Sequence, residues 1–386
     1  MFANGIFKVI YAPHKALKEI AQNPKYLGPL LILILFVAAN AAFIYGIISK
    51  SYIEQTLPSG DQFDTWTENS TLWTTAPGVT VTDNFNDYIN GTIYGNSSIQ
   101  FSIVNSNQIV MQLNNIGSVN CSGPDGYKNM SFRLKCVSPP DKPENVTVYL
   151  FSSSPSNYFS YNLTGAVVNS TSNVWNNVTL TLETADWSSN SALADWGNIT
   201  GVKLELAWSA NANLTVLVDG LFFHGIFVSE MANAVAYISN YSLASAMQFV
   251  IRWVFLTAII YIMAKAFGGK MVWRLTLILI GSALITLFVQ TAINAAAYST
   301  LTPIYWKFTL IGGVPGEFQS AYDQIVQQTS FLSQFSGYLN IAIYVWTIAL
   351  CAFTTRILAE FSWAKSILVS TVAFFVSIIV AGFLGL

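Results

Sequence analysis

The stretch AKAFGGKMVWR, residues 264–274, sits between two long apolar runs, MQFVIRWVFLTAIIYIMAKAF (247–267) and VWRLTLILIGSALITLFVQTAINAAA (272–297). Paired glycines beside a lysine are also what a phosphate-cradling loop uses. A Walker loop needs glycine where Ala264 stands and serine or threonine after its lysine, where Met271 follows Lys270. It also needs a strand before it, and an apolar run of about membrane-spanning length stands there instead. The stretch therefore reads as the hinge of a helical hairpin. Gly268 and Gly269 end the first helix in a left-handed cap, and Lys265, Lys270 and Arg274 hold the loop on the inner side of a membrane. No nucleotide and no nucleic-acid partner is expected.

Composition supports the membrane reading. Only 9% of the 386 residues are charged and 53% are hydrophobic, with a mean hydropathy of +0.48, too little charge to solubilise a globular chain of this size. The net charge of -2 hides a division: residues 49–246 carry 15 of the 19 acidic and 6 of the 17 basic groups. Besides the two runs above, apolar stretches of spanning length occur at about 27–48, 337–355 and 366–386. The first has a small-residue pattern at Ala39-Asn40-Ala41, but its long polar lead and its continuation past Ala41 mark a retained span rather than a cleaved signal.

Lys8, Lys15, Lys18 and Lys25 precede span one, and Arg356 and Lys365 lie between spans four and five. With the glycine-lysine loop, these alternate as the positive-inside rule requires for five crossings starting inside. The expected localisation is the plasma membrane, with the N-terminus cytoplasmic and residues 49–246, the loop 298–336 and the C-terminus extracellular. Asn-x-Ser/Thr sequons agree. They stand at Asn69, Asn90, Asn96, Asn120, Asn129, Asn145, Asn162, Asn169, Asn177, Asn198, Asn213 and Asn240, all within the outer segment and more numerous than its Ser/Thr content gives by chance. Covalent N-glycans are expected there. Cys121 and Cys136 lie in the same segment and read as a disulfide in an oxidising compartment, with two unrelated thiols as the alternative.

Within the outer segment the apolar period is two, as in QIVMQLN, MSFRLKCV, VTVYLFSS and VKLELAWS, broken by Asn, Ser, Gly and Pro clusters. This predicts antiparallel strands packed as a sandwich. At YKNMSFRLK, NVWNNVTLTLETADW, DWGNITGVKLEL and LTVLVDGLFF the segment resembles the jelly-roll folds of carbohydrate-binding modules. The resemblance implies sugar held by exposed aromatics, for which Trp66, Trp73, Trp175, Trp187, Trp196 and Trp208 are available; filling the core is the competing role. It also implies a structural calcium near the terminal strands, with Asp219 as a candidate ligand beside Asp61 or Asp64; a turn-forming Asp is the competing reading.

The spans carry little chemistry. Arg252 is expected to snorkel to the headgroups beside Trp253, and Gln290 and Asn294, four apart, to make interhelical hydrogen bonds. APHKALKEIAQNPKYLGPL reads as a short helix between Pro13 and Pro24, either on the inner leaflet or solvated, and 316–335 as an amphipathic helix on the bilayer or under the outer domain. The proline-bounded basic segment, the five-span count, AKAFGGK after span two and RILAEFSWAKS after span four together resemble the Yip family of five-span membrane proteins. The insertion of about 200 residues between spans one and two departs from that family's pattern. The expected architecture is thus a five-span helical bundle (1–48 and 244–386) with a β-sandwich ectodomain (49–243) inserted between spans one and two. The expected function is non-enzymatic: a protein, resembling archaeal surface proteins in composition, anchoring a glycosylated jelly-roll for contact with glycans or envelope proteins. An accessory subunit of a larger membrane complex and, below it, a channel, transporter or lipid-handling protein are the alternatives.

Overall fold

The computed structural model describes residues 2–59, 64–168 and 171–383. The chain divides into two compact units: Met1–Ser51 with Ser229–Ile304 and Val326–Leu386, and Tyr52–Val228 with Tyr305–Ile325.

The first unit is helical. Its elements are α1 Phe2–Tyr11, α2 Pro13–Gln22 and α3 Leu27–Ile48 and, after the one-turn α4 Thr164–Val168 of the second unit, α5 Ala234–Ala266, α6 Trp273–Ala283 and α7 Ile285–Tyr298; α8 Phe308–Gly312 again belongs to the second unit, as does α9 Glu317–Ala359 up to Ile325, and the rest of α9 with α10 Trp363–Phe383 completes the set. Five helical stretches among the described residues are long and apolar enough to cross a membrane: Leu27–Ile48, Glu230–Ala266, Trp273–Tyr298, Glu317–Ala359 and Trp363–Val380. The amphipathic 316–335 and the apolar 337–355 are not separate helices but one, because no proline interrupts them and Gly337 is tolerated within α9.

Pro13 starts α2, where a missing N–H costs nothing, and Pro24 ends it by pushing Asn23 out of the helical region. The segment ahead of α3 is more than a leaflet-bound helix. Ile6, Val9, Ala16 and Leu17 are almost fully buried and join the bundle core with Ile32, Phe36, Leu256, Ile260, Leu279 and Phe374, while Lys8 pairs with Glu19 across α1 and α2 at 2.6 Å. Polar side chains meet between helices, as Thr286 with Thr347 (2.7 Å) and Ser336 with Asn294 (3.1 Å).

The hinge has the geometry its glycines predict. Gly268 takes φ +82°, its N–H bonds to Lys265 O at 3.0 Å, and Gly269 N–H reaches back to Ala264 O at 2.8 Å. That is the Schellman pair of bonds closing the last turn of α5. Gly269 itself is needed for close approach: a Cβ there would stand 2.9 Å from Ala264 O and from Ala359 Cβ. Cations around this loop stack on rings, Lys265 over Tyr261 at 5.7 Å and Arg274 over Tyr26 at 5.8 Å.

The second unit is antiparallel β. Its strands are β1 Ser51–Leu57, β2 Trp73–Thr75, β3 Thr80–Asn84, β4 Ser98–Val119, β5 Asn129–Ser138, β6 Asn145–Ser152, β7 Ser154–Asn162, β8 Asn176–Thr181, β9 Ser188–Ser189, β10 Ile199–Ser229 and β11 Ile304–Trp306. The long β4 and β10 pair with each other along most of their length and run through both layers. The first half of β10 continues sideways to β6 and β7; the second half continues to β5 and β8. Between the halves, register shifts at Ala207/Ala212 and Ala212/Leu214 and a left-handed Asn105 (φ 52°) mark the bend. Alternation does the rest: Val146, Val148 and Leu150 of β6 face a core shared with Met111, Leu113, Val202, Leu204, Val216 and Phe132.

Cys121 and Cys136 are both free thiols, against the disulfide expected of them. Strand direction is the reason. Asn120 O accepts from Tyr127 N–H, which fixes Cys121 beside the start of β5, whereas Cys136 pairs with Val216 seven residues beyond Asn129. At about 3.3 Å per residue that is roughly 20 Å, far over the ~7 Å Cα limit for a disulfide.

Candidate functional site

Two features of the second unit concentrate polar chemistry. The first is built where β10 breaks its pleat. Gly220 takes φ +58°, and its N–H donates to Asp64 Oδ2 (3.1 Å) and Thr67 Oγ1 (3.0 Å). Thr67 in turn donates to Asp64 Oδ2 at 2.8 Å, and Asp219 Oδ2 accepts from Ile89 N–H at 2.6 Å. These bonds hold Asp64 and Asp219 side by side, both without exposed surface. Each keeps its Oδ1 with no donor in reach. Glu68, whose carboxylate accepts from Asn96 N–H and Ser97 N–H at 3.0 Å each, brings a third ligand oxygen; the three acids offer oxygens within 4.8 Å of one another.

Two carboxylates cannot both stay ionised in a dry site without a counter-charge. Burial, then the neighbouring Asp64, pushes the Asp219 carboxyl up to about 10, and burial also raises Asp64. The pair therefore either shares a proton or holds a cation. Hard oxygen donors with unfilled lone pairs fit a calcium-class ion. Of the acids named from sequence, Asp219 and Asp64 meet here, Asp61 lies outside the described residues, and Glu68 joins them. Nothing in the local sequence signals Glu68 beyond its four-residue spacing from Asp64.

The second feature is the solvent face of the layer containing β2, β4, β10, β6 and β7. Register sets a row across it: Thr74 opposite Gln112, Gln112 opposite Lys203, Lys203 opposite Tyr149, and Tyr149 opposite Ser160. Lys203 Nζ lies 3.6 Å from the Tyr149 ring centroid and 3.3 Å from Glu205 Oε2; Glu205 also accepts from Gln108. Tyr158 meets Tyr149 edge-on at 5.3 Å. Next to this row a depression of about 580 Å³ is lined by Gln112, Asn114, Phe151, Ser153 and Thr200 among others. Gly201 lies beneath it, where a Cβ would stand 2.8 Å from Leu113 O. The result is an aromatic ring edge surrounded by amides, hydroxyls and one ion pair.

The tryptophans serve the core instead. Trp73, Trp187 and Trp208 are buried; Trp66 and Trp196 pack against the same core, and Trp175 against the smaller cluster around Tyr94 and Phe222. Their indole N–H groups bond inward, Trp73 to Trp66 O and Trp208 to Asp141 O, both at 2.8 Å. Tyr149 was not singled out from sequence; the signal for it lies in VTVYLFSS, where it falls out of phase with Val146, Val148 and Leu150. Of the sequon asparagines, Asn69, Asn90, Asn96, Asn120, Asn145, Asn162, Asn177, Asn213 and Asn240 are exposed, Asn129 and Asn198 are half-buried, and Asn169 lies outside the described residues.

No family model matches the chain, and no curated protein does. Solved structures similar to it are carbohydrate-binding β-sandwiches. One, from work on the promiscuous specificity of carbohydrate-binding modules of the β-sandwich superfamily, is 15% identical over 40% of this chain and 58% of its own, with a TM-score of 0.28. The family 11 module from Clostridium thermocellum, solved with a mixed-linked tetrasaccharide, is 13% identical over 44% of this chain and 94% of its own, TM-score 0.28. The family 30 module of a cellulosomal cellulase of the same organism is 12% identical over 43% and 91%, TM-score 0.29. The chain spans 58% of the first of these. At such values the likeness carries no argument, and what the sheet face binds has to be read from its own residues.

Proposed function

We propose that this chain is a non-enzymatic membrane protein that displays its β-sandwich at the cell surface and binds glycan there through the face centred on Tyr149. The observation that carries the reading is the row Gln112, Lys203, Tyr149 and Ser160 beside a polar depression of about 580 Å³. Sugars present apolar C–H patches between hydroxyl groups. A tyrosine ring edge with amide, ammonium and carboxylate groups around it offers contacts of both kinds. In this reading the five apolar helices are the anchor, arranged as in the Yip proteins on the hinge and flanking motifs already named. The positive-inside loops keep the N-terminus cytoplasmic and the sandwich and C-terminus extracellular, and the sequons carry N-glycan. Asp64, Glu68 and Asp219 hold a calcium ion, whose charge replaces the shared proton and ties the 64–68 turn to β10.

The test is retention of the full-length protein, in detergent micelles with calcium, on immobilised polysaccharides of differing linkage. Retention by at least one, released by the free oligosaccharide, is the expected result; passage through all of them contradicts the reading.

A further inference from the structure

The first unit contains a polar pocket that the glycan reading does not use. It measures about 250 Å³ and lies between α3, α5 and α7. Asn40 comes from α3, Gln248 and Arg252 from α5, and Gln290 and Asn294 from α7; Phe36 and Phe249 close it on the apolar side. The pairs 248/252 and 290/294 are each four residues apart, so each presents both groups on one helix face. Asn294 is four residues from the Tyr298 end of α7 and Asn40 eight from the Ile48 end of α3. At 1.5 Å per residue this places the pocket roughly 6–12 Å below that end of the bundle.

Arg252 and Trp253, expected together at the headgroups, each have a partner within the bundle. Trp253 is buried and donates from its indole to Leu277 O at 2.7 Å. The Arg252 guanidinium sits over the ring of Phe374 on α10, 5.3 Å from its centroid. Among the described residues it forms no salt bridge, and no acid lines the pocket. Other polar side chains that line the pocket keep donor capacity. Asn294 spends its oxygen on Ser336 Oγ (3.1 Å) and keeps its amide N–H groups. Among the described residues, Gln248 makes no hydrogen bond that would consume its amide.

An unpaired guanidinium among amides at membrane depth is costly unless a counter-charge arrives with the ligand. We propose that this pocket binds a phosphate-class anion, with Arg252 as the charge partner and Gln248 and Asn294 as hydrogen-bond donors. Arg and a phosphate match as a two-pronged fork, which a lipid headgroup and a free phosphate offer alike. The volume falls below the ~300–1,000 Å³ of sites for drug-sized ligands, which suits a headgroup phosphate with its glycerol or a free phosphate. This proposal depends on the bundle alone and stands or falls apart from the glycan reading.

The experiment is thermal unfolding of the full-length protein in a neutral detergent, titrated separately with phosphatidylglycerol, diacylglycerol and inorganic phosphate. Stabilisation by phosphatidylglycerol and not by diacylglycerol is the expected result. If inorganic phosphate reproduces it at matched concentration, the anion chemistry is supported and the source is the free ion. Arg252→Gln should weaken the response about tenfold or more, the scale of one charge-assisted contact, and Arg252→Lys should keep part of it. Should R252Q yield no folded protein, Gln248→Leu is read in its place, with a smaller loss expected. Equal responses to phosphatidylglycerol and diacylglycerol with none to phosphate, or a full phosphatidylglycerol response in the folded variants, overturns the proposal.

Discussion

Asp219 stands in VDG, a sequence that by itself says only that the chain turns. Its importance comes from Asp64, 155 positions earlier, being bonded to the next backbone N–H of the same turn. No local pattern carries that pairing. The sign of its pH effect follows from the raised carboxyl. An unfolded Asp ionises near 4, and the cation-free folded one near 10. Its contribution to stability is therefore fully present below about pH 4 and is lost as pH rises toward 10. With chelator, the melting temperature of the sandwich should fall between pH 5 and 9; calcium should restore it, most at the alkaline end. Asp219→Asn should flatten the pH dependence and abolish the calcium response, as seen by calorimetry with and without chelator. The two thiols teach the opposite lesson, that a shared outer segment does not bring two cysteines together. Burial raises Cys121 to about 12 and Cys136 to about 11, and the thiolate is the reacting form. Alkylation at pH 8 followed by mass spectrometry should leave both unmodified in the folded protein and label both after denaturation without reductant. Labelling that requires reductant would mean a disulfide.

Elements were legible where their signals are local. The hinge after α5 needs a left-handed residue, and the sequence supplies Gly268; a Schellman cap is made wholly by residues within one turn. Gly268→Ala should cost about 1 kcal/mol, the left-handed penalty for a side chain, seen as a lowered bundle melting temperature, while helix content is unchanged. The strands of the sandwich were equally readable from period two. What could not be read was the partner of 305–325. Within the β unit, Glu54 accepts from Phe308 N–H at 2.8 Å at the start of α8, and Arg133 meets Glu317 at 2.6 Å and Tyr94 Oη at 3.0 Å. These contacts join residues up to 254 positions apart. Arg133 is 8% exposed and Glu317 26%. Glu317→Ala should thus destabilise the sandwich by about 2 kcal/mol, between the surface and buried limits for an ion pair, by chemical denaturation. No change would show that Tyr94 alone satisfies Arg133.

At the scale of the whole molecule, composition said most. The concentration of 15 of 19 acids in residues 49–246 separated the two kinds of structure before any element was assigned, and five apolar helices accompany the β-sandwich. The face proposed to bind was harder to find, because the tryptophans that attract attention in the sequence are held in the core. The alternation that buries Val148 and Leu150 is also what leaves Tyr149 outside, so the signal was present but spread over four strands that only the register brings together. The most direct test of the account compares wild type with Tyr149→Ala on one glycan array, using full-length protein in micelles. The account predicts a defined set of bound glycans for the wild type and a loss of about tenfold or more in the variant at equal melting temperature, the cost of removing a central aromatic anchor. Unchanged binding by Tyr149→Ala, or no bound glycan for the wild type, would contradict it.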